Sequence, residues 1–231
     1  AFYMEPLAQL VRANVWFKGI PFSPDIHKIT LYAAYVIFPS TDPISSLASV
    51  IDQVTHFVAT PGFTLNLSNS LVLNLSLTLA EQQQLEVMYP IQWTSDPIPY
   101  LGIQIAPSLE NTARLNYSSL FANTRNDLQE WKRMGLSWFG RIAAVKMSTL
   151  PRLLHVFQTL PLPAPRGVLS RIQREINSFI WDRRKPRISM AVSYCSGGAG
   201  GLGIPEVNRY YQASQLVPLV EWSRASTEKH W

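Results

Sequence analysis

A chain of 231 residues, 47% hydrophobic and 11% aromatic, is composed to bury one sizeable core or two modest ones, which excludes a disordered chain. Its single cysteine, Cys195, excludes an internal disulfide and a cysteine-cluster zinc site, and no apolar run approaches the roughly 20 residues of a membrane span. The net charge of +5 is unevenly spread: residues 1–130 carry 5 Lys/Arg and 10 Asp/Glu, residues 131–190 carry 12 and 2, and residues 191–231 carry 3 of each. A surplus of ten positive charges over sixty residues points to a phosphate backbone as partner.

In chain order, Phe2, Leu7, Leu10 and Val11 share a helical face, and Gly19-Ile20-Pro21 breaks into a loop. Ile29 to Phe38 predicts two short apolar strands meeting at a tight turn. Thr30 and Tyr32 alternate with Ile29, Leu31 and Ala33, and Tyr35 to Phe38 runs back. Thr41-Asp42-Pro43 supplies an N-cap and a first-turn proline. Leu47, Val50, Ile51, Val54, Phe57 and Val58 then repeat at helical spacing. His56 is expected at the solvent edge of that helix, with no second ligand placed to join it. Residues 62–67 and 71–77 read as strands, 80–88 as a short polar helix, and Tyr100 to Ile105 as another strand after breaks at Pro97 and Pro99. This first part is α+β: a small antiparallel sheet with helices packed against it.

After Pro107 the pattern turns helical. Leu120, Phe121, Thr124, Leu128 and Trp131 mark one helix. Ile142, Val145 and Leu150 through Phe157 mark a second, bent at Pro151. Val168, Ile172, Ile176, Phe179 and Ile180 mark a third, and Leu160 to Pro165 is an extended connector. This bundle coincides with the basic block. The candidate phosphate contacts are Lys132, Arg133, Arg141, Lys146, Arg152, Arg183, Arg184, Lys185 and Arg187.

Gly198-Ala199-Gly200-Gly201-Leu202-Gly203 formally matches a dinucleotide-binding loop, with Glu221 near the spacing of a ribose-binding acid. Pro205 follows almost at once and no βαβ unit surrounds the run, so a turn is expected. A helix with Tyr210, Tyr211, Ala213, Leu216 and Val217 comes after it. Asn66-Leu67-Ser68, Asn74-Leu75-Ser76 and Asn116-Tyr117-Ser118 match the glycosylation sequon. No basic signal segment opens the chain, so the matches read as chance. The expected setting is intracellular, cytoplasmic or nuclear, with no membrane partner and no small-molecule substrate. Both ends read as cuts through a longer protein.

The order of these features resembles the reverse transcriptase of LINE-type non-LTR retrotransposons, encoded in the second open reading frame polyprotein of vertebrate elements. Tyr3 to Ala8 looks like the end of the helix after that family's Gln-Gly loop. His27 to Ala33 looks like the strand before its catalytic carboxylate pair, and Gly62 to Ser70 like its Gly-x-x-x-Asn-x-x-Lys-Ser stretch. Pro99-Tyr100-Leu101-Gly102-Ile103 matches its Tyr-Leu-Gly strand. Ser137 to Ile142 with Val145-Lys146-Met147 and Leu150-Pro151-Arg152 is the most specific piece. Phe179-Ile180-Trp181 with Lys185 to Ile188, and Gly200 to Pro205, complete it. The resemblance implies a partial polymerase palm over 1–107, a helical thumb over 108–185 and the start of a post-thumb segment over 186–231. It implies RNA or an RNA–DNA duplex as the partner of the thumb.

The same resemblance implies lost chemistry. Active relatives hold magnesium with an upstream carboxylate and two at the hairpin tip, and here the tip positions are Ala34 and Tyr35. Magnesium takes oxygen ligands at about 2.0–2.1 Å, which alanine lacks and a neutral tyrosine supplies poorly. Asp25 and Asp42, at roughly 3.3 Å per residue, are expected about 25 Å or more from the tip. The position of the family's lysine is Asn69. The implied protein is a catalytically inactive fragment that keeps a nucleic-acid-contacting surface. The alternative is a co-opted, non-enzymatic RNA-binding or protein-interaction module.

Overall fold

The computed structural model describes residues 4–22, 25–32, 35–59, 70–89 and 91–223. The fold is α+β, and the chain separates into two compact units, Ala1–Thr94 and Ser95–Trp231. Compactness therefore divides the chain after Thr94. The sequence-based boundary at 107 marks instead the point where strands give way to helices.

The first unit contains α1 (Glu5–Ala13), β1 (Ile20–Phe22), β2 (Asp25–His27), β3 (Thr30–Tyr32), β4 (Tyr35–Ile37), α2 (Pro43–Val58), β5 (Leu71–Leu73), α3 (Leu79–Met88) and β6 (Gln92–Thr94). Its strands do not merge into the single small antiparallel sheet expected. Among the described residues they form three separate two-stranded ladders: β1–β2 and β3–β4 antiparallel, β5–β6 parallel. Each strand is three residues long. Gly19-Ile20-Pro21, expected as a loop, runs into β1, because Pro21 sits on an edge strand where no ladder donor is required. The strand expected over 71–77 stops at Leu73. There Asn74 turns the chain, its Oδ1 accepting from the backbone N–H of Ser76 and Leu77. The stretch 62–67 lies outside the described residues.

Helix α2 begins as its sequence directs. Pro43 opens it and Asp42 caps it, the carboxylate accepting from Ser45 N–H at 3.3 Å. Val50 and Val54 meet Leu7, Ala8 and Val11 of α1, with Phe17 and Ile29 completing the core. Polar ties close its rim. Asn14 bonds Ser49, and Lys28 reaches the carbonyls of Arg12 and Asn14 at the C-terminal end of α1, where a cation complements the helix dipole. His56 is exposed on α2. Helix α3 carries a full capping box between Thr78 and Glu81, which holds the Glu81 carboxyl below its ordinary range.

The second unit contains β7 (Ile98–Tyr100), β8 (Ile103–Ile105), α4 (Leu109–Arg133), α5 (Trp138–Ala144), a π-helical turn (Val145–Thr149), α6 (Leu150–Thr159), α7 (Val168–Ile180), α8 (Met190–Tyr194), a 3-10 turn (Gly197–Ala199) and α9 (Val207–Ser223). Tyr100 to Ile105 is not one strand but a hairpin, with Leu101 and Gly102 both at positive φ, +48° and +82°. A two-residue turn with both angles positive matches strand twist and lets β7 fold back on β8. The hairpin belongs to this unit because α4 holds it. Buried Asn116 accepts from Gln104 N–H at 2.9 Å and donates to Gln104 O at 2.7 Å, and Thr112 pairs both ways with Ala106.

Helix α4 packs along α7, and α6 against α9. The periodic face of α7 is buried as expected: Val168, Ile172, Ile176, Phe179 and Ile180 all lie in the core with Tyr117, Leu153 and Phe157. Each such side chain contributes about 1.5–3 kcal/mol of burial. Burial, with the Tyr211 hydroxyl beside it, pushes the Tyr117 phenol up from its ordinary value. The bend at Pro151 has a specific form. Proline gives no N–H to the Met147 carbonyl, and the helix widens just before it, Leu150 N–H reaching back five residues to Val145 O. The chain beyond 185 stays in the same core through Ile204 and Val207. Gln173 of α7 accepts from Val207 N–H at 2.7 Å and so pins the start of α9.

Candidate nucleic-acid interface

Three elements bring Lys132 and Arg141 to the end of α7. Ser137 caps α5, its Oγ accepting from Gly140 N–H, so that Trp138 and Arg141 start on a fixed turn. Trp138 packs on Trp181 with ring centroids 5.0 Å apart, tying α5 to the end of α7. Lys132 lies in the last turn of α4.

The end of α7 is the organising point. Arg183 N–H reaches Ser178 O at 2.9 Å and Asp182 N–H reaches Phe179 O at 3.3 Å. That bond pair is a Schellman cap, whose left-handed position normally holds glycine. Here Asp182 occupies it at φ +50°, and Arg183 follows at +60°. Left-handed backbone costs a non-glycine residue, although aspartate tolerates it better than most. The Asp182 carboxylate offsets the cost by standing 3.5 Å from both Lys132 Nζ and Arg141 Nη1. Arg141 foremost, with Lys132 and Arg184, holds that carboxyl below its ordinary range.

This geometry sorts the nine candidates. Arg141 has its side chain only 16% exposed, and its fork donates to Leu136 O and Phe179 O besides facing Asp182. It ties three elements together. Lys132 shares Asp182 with it. Arg133 pairs with Glu130 at 3.0 Å, and Arg152 of α6 donates to Asp127 of α4. Arg183, Arg184, Lys185 and Arg187 are exposed on the loop after α7. Among the described residues no ion pair joins any of these four to a carboxylate at contact distance. Lys146 sits apart, on the π-helical turn beside Gly203.

The block of like charge seen in the sequence is thus partly compensated in space. Glu130 and Asp127 lie just before residue 131, and only the Glu130–Arg133 pair has a local spacing that sequence alone could have revealed. Four cations within five residues remain, on a backbone held by the cap of α7. Phe139, 69% exposed at the start of α5, adds an aromatic face to the same unit.

Ala34 and Asn69 lie outside the described residues. Tyr35 pairs with Tyr32 at the last described rung of β3–β4 and is exposed. Asp42 is committed to capping α2 and to Lys18 Nζ at 2.7 Å; Lys18 foremost lowers its pKa to about 2. Asp25 belongs to β2, opposite Phe22. Among the described residues no three His, Cys, Asp or Glu side chains gather to hold a metal. No described helix is long and apolar enough to cross a membrane. No protein-family model matches the chain.

Proposed function

We propose that the chain derives from a LINE-type reverse transcriptase, no longer polymerises, and binds RNA or an RNA–DNA duplex through its helical unit. The observation that carries the binding is the exposed basic loop Arg183-Arg184-Lys185-Pro186-Arg187 after the capped end of α7. The motifs that follow one another in family order support the ancestry. Ala34 and Tyr35 at the tip support the loss of polymerisation, since neither brings a carboxylate to a metal.

Fluorescence anisotropy with a labelled RNA–DNA duplex tests the reading. Four phosphate contacts give a slope of about −3.6 in log K against log salt. Binding that ignores salt, or no binding at low salt, overturns it. In the same preparation, magnesium and deoxynucleoside triphosphates are expected to yield no primer extension. A second reading, a co-opted protein-interaction module, is favoured by Val15, Trp16 and Phe22, which are 81%, 75% and 75% exposed in the first unit. It predicts association that substitutions in the loop leave unchanged.

A further inference from the structure

The glycine run forms no dinucleotide loop: a 3-10 turn and a bend join α8 to α9, with no strand on either side. It does wall a concavity of about 470 Å³ within the helical unit, whose polar lining includes Lys146, Ser196, Glu206, Arg209 and Tyr210.

Each wall has a local cause. The π-helical turn before Pro151 places Lys146 over Gly203. A Cβ on Gly203 would lie 2.9 Å from Lys146 Nζ, and its φ of +61° independently favours glycine. A Cβ on Gly201 would stand 2.1 Å from Cys195 O. The turn is held by Gly201 N–H to Ser196 O at 2.9 Å and Gly203 N–H to Cys195 O at 2.6 Å. The Gln173 bond to Val207 fixes the opposite wall, where Glu206 and Arg209 pair at 2.7 Å.

Charge decides what this space accepts. Arg209 answers Glu206, whose Oε2 is buried. Among the described residues no ion pair joins Lys146 to a carboxylate, so the lining carries one net positive charge. A hydroxyl from Ser196 and one from Tyr210 stand in the same lining as possible donors. A flexible ammonium, neutral hydroxyl donors and glycine walls without side chains suit a phosphate group.

We propose that this pocket binds a phosphate ester, with Lys146 as its charged contact. The inference stands independently of the loop at 183–187. Two sources share the chemistry, a free mononucleotide and a backbone phosphate of a strand.

Calorimetric titration of the full chain with inorganic phosphate, adenosine monophosphate and a single-stranded oligonucleotide tests it. Lys146→Met is expected to weaken the bound probe about tenfold, the loss of one charge-assisted contact. Lys146→Arg is expected to retain most of the affinity. Glu206→Gln is expected to tighten binding, because it removes the opposing charge. Losses with both monophosphate and strand assign the pocket to free nucleotides; a loss with the strand alone, with its salt slope reduced by about one, assigns it to a backbone phosphate. The proposal is overturned if none of the three probes binds. It is also overturned if Lys146→Met, with an unchanged circular dichroism spectrum, binds like the parent.

Discussion

The two units of this protein are built from different materials. The first holds three Lys/Arg against six Asp/Glu, the second seventeen against nine, which together give the 20 and 15 of the chain. The first unit joins two helices through a small apolar core and closes its rim with polar ties from Asn14, Lys18 and Lys28. The second has one continuous core running from Ile103 to Val207. The difference teaches where charge can be carried. A unit with a large apolar interior can hold a strained, like-charged loop on its surface, because the cost is spread over many buried contacts.

The largest expected effect separates the two cores. Phe157 is 1% exposed and packs against the rings of Tyr117 and Tyr211. Phe157→Ala is expected to cost about 3–5 kcal/mol in urea denaturation. Amide exchange should quicken in α4 and α7, while α1 and α2 keep their protection. Equal quickening in both units would erase the contrast.

Charge comes next. Replacing Arg183, Arg184, Lys185 and Arg187 by glutamine is expected to abolish most duplex binding. The parent should lose affinity about a hundredfold between about 50 and 200 mM salt, and the variant should be nearly flat. Arg133→Gln and Arg152→Gln, each removing a cation already paired with a carboxylate, are the controls that should change little.

Smaller still is the effect of Gly201→Ala. The added methyl meets the Cys195 carbonyl, and the overpacking is expected to cost about 1–3 kcal/mol by thermal unfolding of the second unit.

The smallest effect belongs to the first unit and is read in pH. Asp42 titrates at about 2 when folded, below its usual 3.8, because Lys18 and the cap of α2 favour the charged form. Its stabilisation is therefore complete above pH 3.8 and is lost as pH falls towards 2. Asp42→Asn still caps the helix but removes the ion pair. The variant should be less stable than the parent at neutral pH and match it below pH 2. A constant difference across that window would remove Asp42 from the account.

Much of this architecture was legible in the chain. The face of α7 follows the 3.6-residue period without exception, and Asp42-Pro43 starts α2 where the residue types require. The Tyr100–Ile105 hairpin was missed because Leu101 takes a positive φ that a leucine rarely adopts, so Tyr-Leu-Gly reads as one strand. Helix α8 escaped notice because five residues give no period to detect. At the candidate interface, composition overstated the free charge of the basic block. Arg152 and Asp127 are 25 residues apart, and no local pattern joins them. Asp182 is one of two acids in residues 131–190, and only the fold shows that it faces both Lys132 and Arg141.

The π-helical turn can be counted in residues. A π turn is one amino acid more than an α-helix needs to cover the same rise. Deleting Met147, which is 79% exposed, would therefore remove that extra residue without removing a buried side chain, and Leu153, Val156 and Phe157 would keep their phase on the core face of α6. The widened turn is an insertion that the helix absorbs locally, in the turn that precedes Pro151.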